Sequence, residues 1–533
     1  MGRLGRHFRG SPAWLTLGAL VAASILAPLL ALLGTLPFGG GEHWDHIART
    51  VLAGYLTNTA IVSVGVVLLS SVAGVGAAWY QSLYEYPFRR LLDALLVLPL
   101  AIPAYVTAFV YSGIFNYTGV AQLFFRSLLD MEVGSYPVVS IHSRAGLIVV
   151  LSLATYPYTY LTARSALSQQ SMATIEAART LTSSGSRLFF TVGLPLLRPA
   201  LAAGASLVLM ESLNEYGAAV YYGVETLSVG VFRTWFAYYD LQSTRFLSSL
   251  FLLVVLTLLV GDRLLRGRKR RIGGGQLRPI ARRTLRRRAY PWVYLIVGAP
   301  LIAGFLIPVL QLLYWAALSL DGVDWELVAG STANTALVAS LGAALCIVAG
   351  VVLAYAPRVS GGRIFRQLTY ISSLGYAIPG AVVAIGIMSI LSGISGAAIG
   401  SLGALIFAYA VRYLAVAQRP LSEGFSQVAG ALDEAGRSLG RGPTRTLLSV
   451  DLPVMRRTMV TAALFVFVDI IKELPLTTVL RPFDFPTLAV ETFRLAGDER
   501  VAESAVTALI LIAVGTIPIV AHPTLGKGRR REA

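Results

Sequence analysis

The stretch EAARTLTSSGSRLFFTVGLP (176–195) has a counterpart, EAGRSLGRGPTRTLLSVDLP (434–453), 258 residues further along the chain. Both open on Glu-Ala, carry arginines and close on Leu-Pro. Each is a polar loop set between long apolar runs. One such loop would only connect two membrane spans. Two of them at equivalent places mark the chain as a duplication whose copies meet the same requirement.

The flanking composition is that of a membrane protein. Of the 533 residues, 56% are hydrophobic and 13% are charged, against about 25% charged in soluble domains. Apolar runs of ~20 residues, the length a helix needs to cross the hydrocarbon core, occur at about 14–36, 57–79, 93–115, 145–163, 197–222, 246–261, 292–319, 333–355, 369–391, 395–417, 457–480 and 502–523. The first is too long for a signal-peptide core and no small-x-small cleavage site follows it, so it reads as the first span. Cys346, the single cysteine, lies in an apolar run and has no internal disulfide partner. His43 and His46 stand near Glu42 and Asp45; this reads as a solvated polar loop, with a metal site as the alternative.

The net charge is +17. With the N-terminus in the cytoplasm, the cytoplasmic side holds the N-terminal arginines, both twenty-residue loops, the stretch from Asp262 to Tyr290 and the tail GKGRRREA. The opposite loops, including DGVDWE (321–326), are net negative. This is the positive-inside pattern, and it suits anionic lipid headgroups. The basic charge is therefore a topology signal, and no nucleic-acid partner is expected.

The stretch 262–290 holds twelve Arg and Lys and three consecutive glycines, and reads as a cytoplasmic linker. It divides the chain into a first half, 1–261, and a second, 291–533. LTNTAIVSVG (56–65) matches TANTALVASLG (332–342), with Asn58 on Asn334, at an offset of 276; AIPAYV (from 101) matches AIPGAV (from 377) at the same offset. The polar loops match at 258, so the first half has 18 extra residues, which fit the external loop around 116–143. The expected fold is an all-α polytopic membrane protein of about twelve transmembrane helices in two parallel six-helix repeats. Parallel repeats are related by an axis along the membrane normal, which puts one helix of each half at a shared pathway.

Both polar loops fall between the fourth and fifth spans of their half, on the cytoplasmic side. Small residues open them: Ala177 and Ala178, then Ala435 and Gly436. Breaks are expected at Gly185 and at Gly440, Gly442 and Pro443. Pro443 suits the first turn of a second short helix, and Pro195 and Pro453 are expected to interrupt that helix before the next span. Small side chains let another surface approach closely, so the pair reads as two docking sites for a partner that is itself two-fold. The alternative is a plain re-entry helix.

The pattern Glu-Ala-Ala, a turn, then Val-x-Leu-Pro resembles the EAA loop of permease subunits of binding-protein-dependent ABC importers. Glu176, Ala177, Ala178, Val192, Leu194 and Pro195 fit it in the first copy, and Glu434, Ala435, Gly440, Val450, Leu452 and Pro453 in the second. The family's glycine, six places after the Glu, is Thr182 in the first copy, and its third small residue is Gly436 in the second. The resemblance implies a type I importer-like permease whose loops insert as coupling helices into two copies of an ATPase subunit, an external or periplasmic solute-binding protein, and a place in the bacterial inner membrane with both termini cytoplasmic. NEYGAAVYYGVETLSVGVFRTWF (214–236) and KELPLTTVLRPFDFPTLAVETFRLAGDERVAESA (472–505) are similar to the fused ferric-iron permeases of this group. Fused permeases for thiamine or phosphonate-type solutes share the architecture and remain the alternative cargo. A gradient-driven secondary transporter is the alternative class.

The chain is not itself the ATPase. A phosphate-binding loop needs Gly-Lys-Ser/Thr; the only lysines are Lys269, Lys472 and Lys527, and only Lys527 follows a glycine, with Gly528 next. No cofactor is expected in this chain, and ATP with Mg would be used by the partner.

Glu211 and Glu215 lie four apart in the fifth span and share a helix face, with Asn214 and Tyr216 beside them. The second half has Asp469, Lys472 and Glu473 at the matching offset. Ionisable residues in a span mark a pathway by default, and oxygen ligands suit a hard cation. The alternative is a wet helix end, with Lys472 neutralising Asp469 or Glu473 locally. The charge pattern makes one prediction: reporter domains fused after Arg288 and after Arg531 should both give cytoplasmic signals. An external signal at the linker would break the parallel repeat.

Overall fold

A computed structural model describes residues 12–129, 140–169, 178–180, 184–266, 282–360, 372–428, 432, 435, 436 and 438–521. Through the first half run α1 (Pro12–Leu33), α2 (Trp44–Thr50), α3 (Leu52–Leu83), α4 (Arg89–Leu95), α5 (Ala104–Phe115), α6 (Val120–Leu129), α7 (Arg144–Gln169), α8 (Gly185–Leu188), α9 (Leu194–Asn214), α10 (Gly217–Tyr221), α11 (Leu227–Tyr238) and α12 (Leu241–Arg266). The second half continues with α13 (Tyr290–Leu301), α14 (Ile307–Ser319), α15 (Trp325–Ser360), α16 (Gly380–Ile394), α17 (Leu402–Gln427), α18 (Pro443–Thr446), α19 (Leu452–Ile471), α20 (Pro475–Leu480), α21 (Leu488–Gly497) and α22 (Val501–Ala521). Among the described residues the only strands are β1 (Tyr84–Glu85) and β2 (Arg283–Thr284), which pair in parallel.

Seven described helices are long and apolar enough to cross a membrane, and a bent pair, Arg89–Ala101 with Ala104–Leu128, makes an eighth. The other expected spans fall on α16, α17, α19 and α22. Here α17 carries Arg412, Arg419 and Glu423, and α19 carries Arg456, Arg457 and Asp469. A helix packed inside a bundle need not be apolar along its whole length.

Several expected spans are not continuous helices; in the second half the one at 369–391 breaks at Ile378–Pro379. The one at 93–115 bends by 93° at Ile102–Pro103. The one at 197–222 stops at Asn214 and resumes at Gly217, and the one at 457–480 stops at Ile471 and resumes at Pro475. Conversely, Pro195 and Pro453 do not interrupt their helices. Each is the second residue of its α-helix, α9 or α19, and a π-turn precedes it: Phe189–Gly193 before α9, Leu447–Asp451 before α19. The Leu194 N–H donates to Phe189 O, and Leu452 N–H to Leu447 O, five residues back in each case. A third π-turn, Ile302–Leu306, precedes Ile307–Pro308 in the same way. A proline ring presses on the carbonyl four residues back and offers that carbonyl no N–H. Widening the turn by one residue gives the ring room, so the helix passes the proline unbroken.

The chain forms two compact units. One contains residues 1–46, 231–253 and 324–491; the other contains 47–230, 254–323 and 492–533. Each therefore combines the central segment of one half with the opening helix of the other half. In the first unit α1 packs on α15 and α16. In the second, α3 packs on α7 and α9, with α13 against α3.

The Asn-Thr landmarks of the repeat have a packing role. Asn58 Nδ2 donates to Glu225 O (2.9 Å) and Thr59 Oγ1 accepts from Leu227 N (2.9 Å). In the second half Asn334 Nδ2 donates to Pro486 O (3.0 Å) and Thr335 Oγ1 accepts from Leu488 N (2.8 Å). Each pair fastens the start of the next short helix, α11 or α21, to the long helix that precedes it.

The polar loop expected at His43 is structured. His43 stacks on Tyr238 and meets Asp240, with Nδ1 3.3 Å from Oδ2. Asp240 also caps α12, accepting from Gln242 N and Ser243 N (both 3.0 Å) and from Ser243 Oγ (2.6 Å). Burial alone would raise its pKa; the bonds from Ser243 and His43 outweigh that and hold it down to about 2. A carboxyl held below its ordinary 3.8 adds stability above that value and loses it as pH falls toward 2. Asp240→Ala should lower stability by about 1 kcal/mol at neutral pH, the worth of an N-cap. Thermal melts in detergent should show that difference closing below pH 3.8.

Candidate functional site

The second polar loop is described in most of its length. Ala435 is exposed, and Gly436 is buried and tightly packed: a Cβ there would stand 3.1 Å from Thr446 Oγ1. The helix that holds them closes on Gly440 at φ +73°, with Arg441 N–H returning to Gly436 O (3.0 Å). This is a Schellman end, which needs a residue free to adopt the left-handed conformation. Gly442 then caps α18, and Pro443 opens it. Glu434 lies outside the described residues.

In the first loop Glu176, Ala177 and Thr182 lie outside the described residues. Ala178 is buried in a cluster with Leu83, Tyr86 and Leu188. Gly185 is not a break. It is the first residue of α8, and Ser184 caps that helix by accepting from Arg187 N (3.3 Å). From Gly185 the helix runs through the π-turn and Pro195 to Asn214 as one 30-residue span. The second loop leads the same way through Pro453 into α19. The loop and the break in the fifth span are thus the two ends of one rod.

At the far end of each rod stand the residues expected on the pathway. Asn214 ends α9, and Glu215 follows in extended conformation. Glu215 Oε1 accepts from Ala218 N (2.8 Å), so the carboxylate caps α10. Glu473 does the same for α20, accepting from Leu476 N (3.0 Å), Thr477 N (2.9 Å) and Thr477 Oγ1 (2.9 Å). A break in a membrane helix exposes N–H groups that lipid cannot satisfy, at several kcal/mol each. The two glutamates supply the missing acceptors. Glu211 accepts from Tyr158 OH (3.1 Å). Lys472 pairs with Asp469 at 3.0 Å, and Tyr216 packs its ring 5.9 Å from that of Phe493.

One residue of this site carries no mark in the repeat. Arg412 lies within α17, 5% exposed, with Nη1 3.4 Å from Ile378 O and its guanidinium over the Tyr413 ring. A Cβ on Gly380 would fall 2.6 Å from both Arg412 Nη1 and Glu473 Oε1. The guanidinium and the carboxylate therefore flank the same point, and Gly380 leaves space for both. An arginine inside an expected span was the available signal. The residue matching Arg412 in the first half, 258 earlier, is Ala154, and Lys472 matches Asn214. Ala104 stands where the second half has Gly380. The two breaks share a backbone and differ in charge. Among the described residues no three of His, Cys, Asp and Glu gather as a metal site.

Known proteins carry the same layout. The family described as binding-protein-dependent transport system inner membrane component matches residues 70–272 and 346–528, once in each half. The Fe(3+)-transport system permease protein FbpB 2 of Haemophilus influenzae is 23% identical over 518 residues, covering 96% of this chain and 98% of that protein. The ferric transport system permease protein FbpB of Actinobacillus pleuropneumoniae is 22% identical over 86% of this chain and 69% of its own length. The sulfate transport system permease protein CysT of Salmonella typhimurium is 29% identical over 38% of this chain and 70% of its own.

Gly380→Ala should cost about 1–3 kcal/mol, as overpacking does, because the methyl meets two charged groups. Ala104→Gly, which opens space at the matching place, should cost no more than about 1 kcal/mol. Melts of the two purified variants compare them directly.

Proposed function

The chain belongs to the inner-membrane components of binding-protein-dependent transport systems, and from that premise we propose that it is the fused permease of an ATP-driven importer for ferric iron. Likeness along nearly the whole length of a Fe(3+) permease, through both halves, carries the reading. An external solute-binding protein delivers the cargo. Two copies of a separate ATPase subunit dock on the two loops, where Ala435 and Gly440 stand exposed. ATP and Mg are used there, not in this chain. Both termini and the basic linker face the cytoplasm, where their charge sits favourably.

The carboxylates divide the work. Glu473 is engaged by three donors and flanked by Arg412, and Asp469 is paired with Lys472. The first half replaces both cations by Ala154 and Asn214. A hard cation is attracted by carboxylate oxygen, so Glu211 and Glu215 are the pair that ferric ion meets. Asn214 and Tyr216 line the same break. Glu473 and Asp469 keep the second break intact.

The test is uptake of labelled ferric ion into proteoliposomes holding the chain, its ATPase and its binding protein. Glu211→Gln with Glu215→Gln should lower uptake at least about ten-fold, the effect of 1.4 kcal/mol, while the ATPase stays bound. Glu473→Gln should lower melting temperature more than uptake per folded molecule. Ala435→Glu should release the ATPase. Labelled sulfate serves as the competing cargo; sulfate uptake without ferric uptake would overturn the iron reading.

A further inference from the structure

Each polar loop is backed by a segment from outside its own half of the chain: α1 for the second loop, and the end of the linker with α13 for the first. In the first unit the Trp14 Nε1–H, at the start of α1, donates to Thr444 Oγ1 in α18 (3.1 Å). The Trp14 ring packs edge-on against Tyr355 at 5.0 Å, and Tyr355 OH donates to Pro443 O (2.9 Å). The opening helix of the first half thus grips α18, the short helix inside the second loop.

In the second unit the roles are exchanged. The end of the linker forms β2 beside β1, with Tyr84 opposite Arg283 and Glu85 opposite Thr284. Leu285 N–H donates to Glu85 O (3.2 Å), and Arg282 lies 3.9 Å from the Glu85 carboxylate. Tyr294, in α13, donates its hydroxyl to Pro87 O (3.0 Å). This strand-and-helix segment meets the first loop through Leu83 and Tyr84. Arg179 Nη2 donates to Leu83 O (3.4 Å), and a Cβ on Gly185 would stand 3.6 Å from Tyr84 OH. Ala178 and Leu188 of the loop share one apolar cluster with Leu83, Tyr86, Val293 and Leu285.

We propose that Trp14 and the β2 segment ending at Leu285 are positioning residues for ATPase coupling: Trp14 holds the second loop, and the β2 segment the first, in the orientation that receives the ATPase. This rests on the reading of the loops as docking sites. The linker then does more than join two halves. Its last residues are a strut for the first loop, and α1 is the strut for the second. Neither segment touches cargo or nucleotide.

The test is hydrogen exchange on the full chain in lipid nanodiscs, followed by ATP hydrolysis after adding the ATPase and the loaded binding protein. Leu285→Pro removes the N–H that Glu85 O accepts; Tyr294→Phe is a milder second lesion on the same strut, should the proline variant fold poorly. Trp14→Phe removes the indole donor and keeps a ring against Tyr355. The expected pattern is crossed. Leu285→Pro and Tyr294→Phe should speed exchange about two- to ten-fold, the worth of one hydrogen bond, in peptides covering 176–195 and not in those covering 434–453. Trp14→Phe should do the reverse. Binding-protein-stimulated hydrolysis should fall by a similar factor in each variant. Exchange that rises equally in both loops, or in neither, overturns the proposal. A crossed exchange pattern with no ATPase retained by the wild-type chain would instead sink the docking reading and leave the struts standing.

Discussion

Inside a bilayer a backbone N–H or C=O has only the protein to bond with, and leaving one unmet costs several kcal/mol. An unbroken helix meets this automatically; a broken one does not. This chain breaks its spans at Ile102–Pro103, at Ile378–Pro379, after Asn214 and after Ile471. At the last two, a glutamate one or two residues on, Glu215 or Glu473, has a carboxylate that accepts the freed N–H groups of the next helix. An N-cap is worth about 1 kcal/mol on a soluble surface. Without water as a competitor the same bond is worth more, which explains acids at a depth where charge is otherwise avoided.

A carboxylate that caps a helix still carries a charge, and the two halves handle it differently. The second half surrounds Glu473 with donors, brings Arg412 to the same point beside Gly380, and gives Asp469 a lysine. The buried positions of Arg412 and Glu473, 5% and 4% exposed, make compensation necessary there. At the matching places the first half has alanine and asparagine. The duplication preserved the backbone solution, a capped break, and let the electrostatics diverge. Equivalent positions in the repeat therefore do not imply equivalent roles.

Much of this was legible from residues alone. The repeat of Glu-Ala loops, the Asn-Thr pairs and the charge sums led to a duplicated membrane protein, because they rest on spacing and composition. The acids at 211, 215, 469 and 473 stood out because spans rarely hold them. The bonds they make did not, since hydropathy treats a broken span and a straight one alike. Pro195 and Pro453 misled for a related reason. A proline in a helix signals a break, and only the turn geometry shows a π-turn absorbing it. Arg412 is visible as a charge within an expected span, but Glu473, which flanks the same point, is 61 residues away in sequence, so spacing does not connect them. The crossed holding of the loops had no sequence signal at all, because it joins segments that the repeat keeps apart.

The π-turns give these details a common consequence. Had Pro195 and Pro453 broken their helices, each loop would hang on a hinge, and a push on it would be spent there. Instead, Gly185 and Asn214 are ends of one 30-residue span, a rod of about 45 Å at 1.5 Å per residue. The helix from the loop end to the capped break is unbroken. The break is the first place along the rod where the ladder of helix bonds is replaced by a single side chain. Each half thus joins its polar loop to a glutamate-capped break through one continuous helix, and the repeat keeps that construction although the charges around the two caps differ.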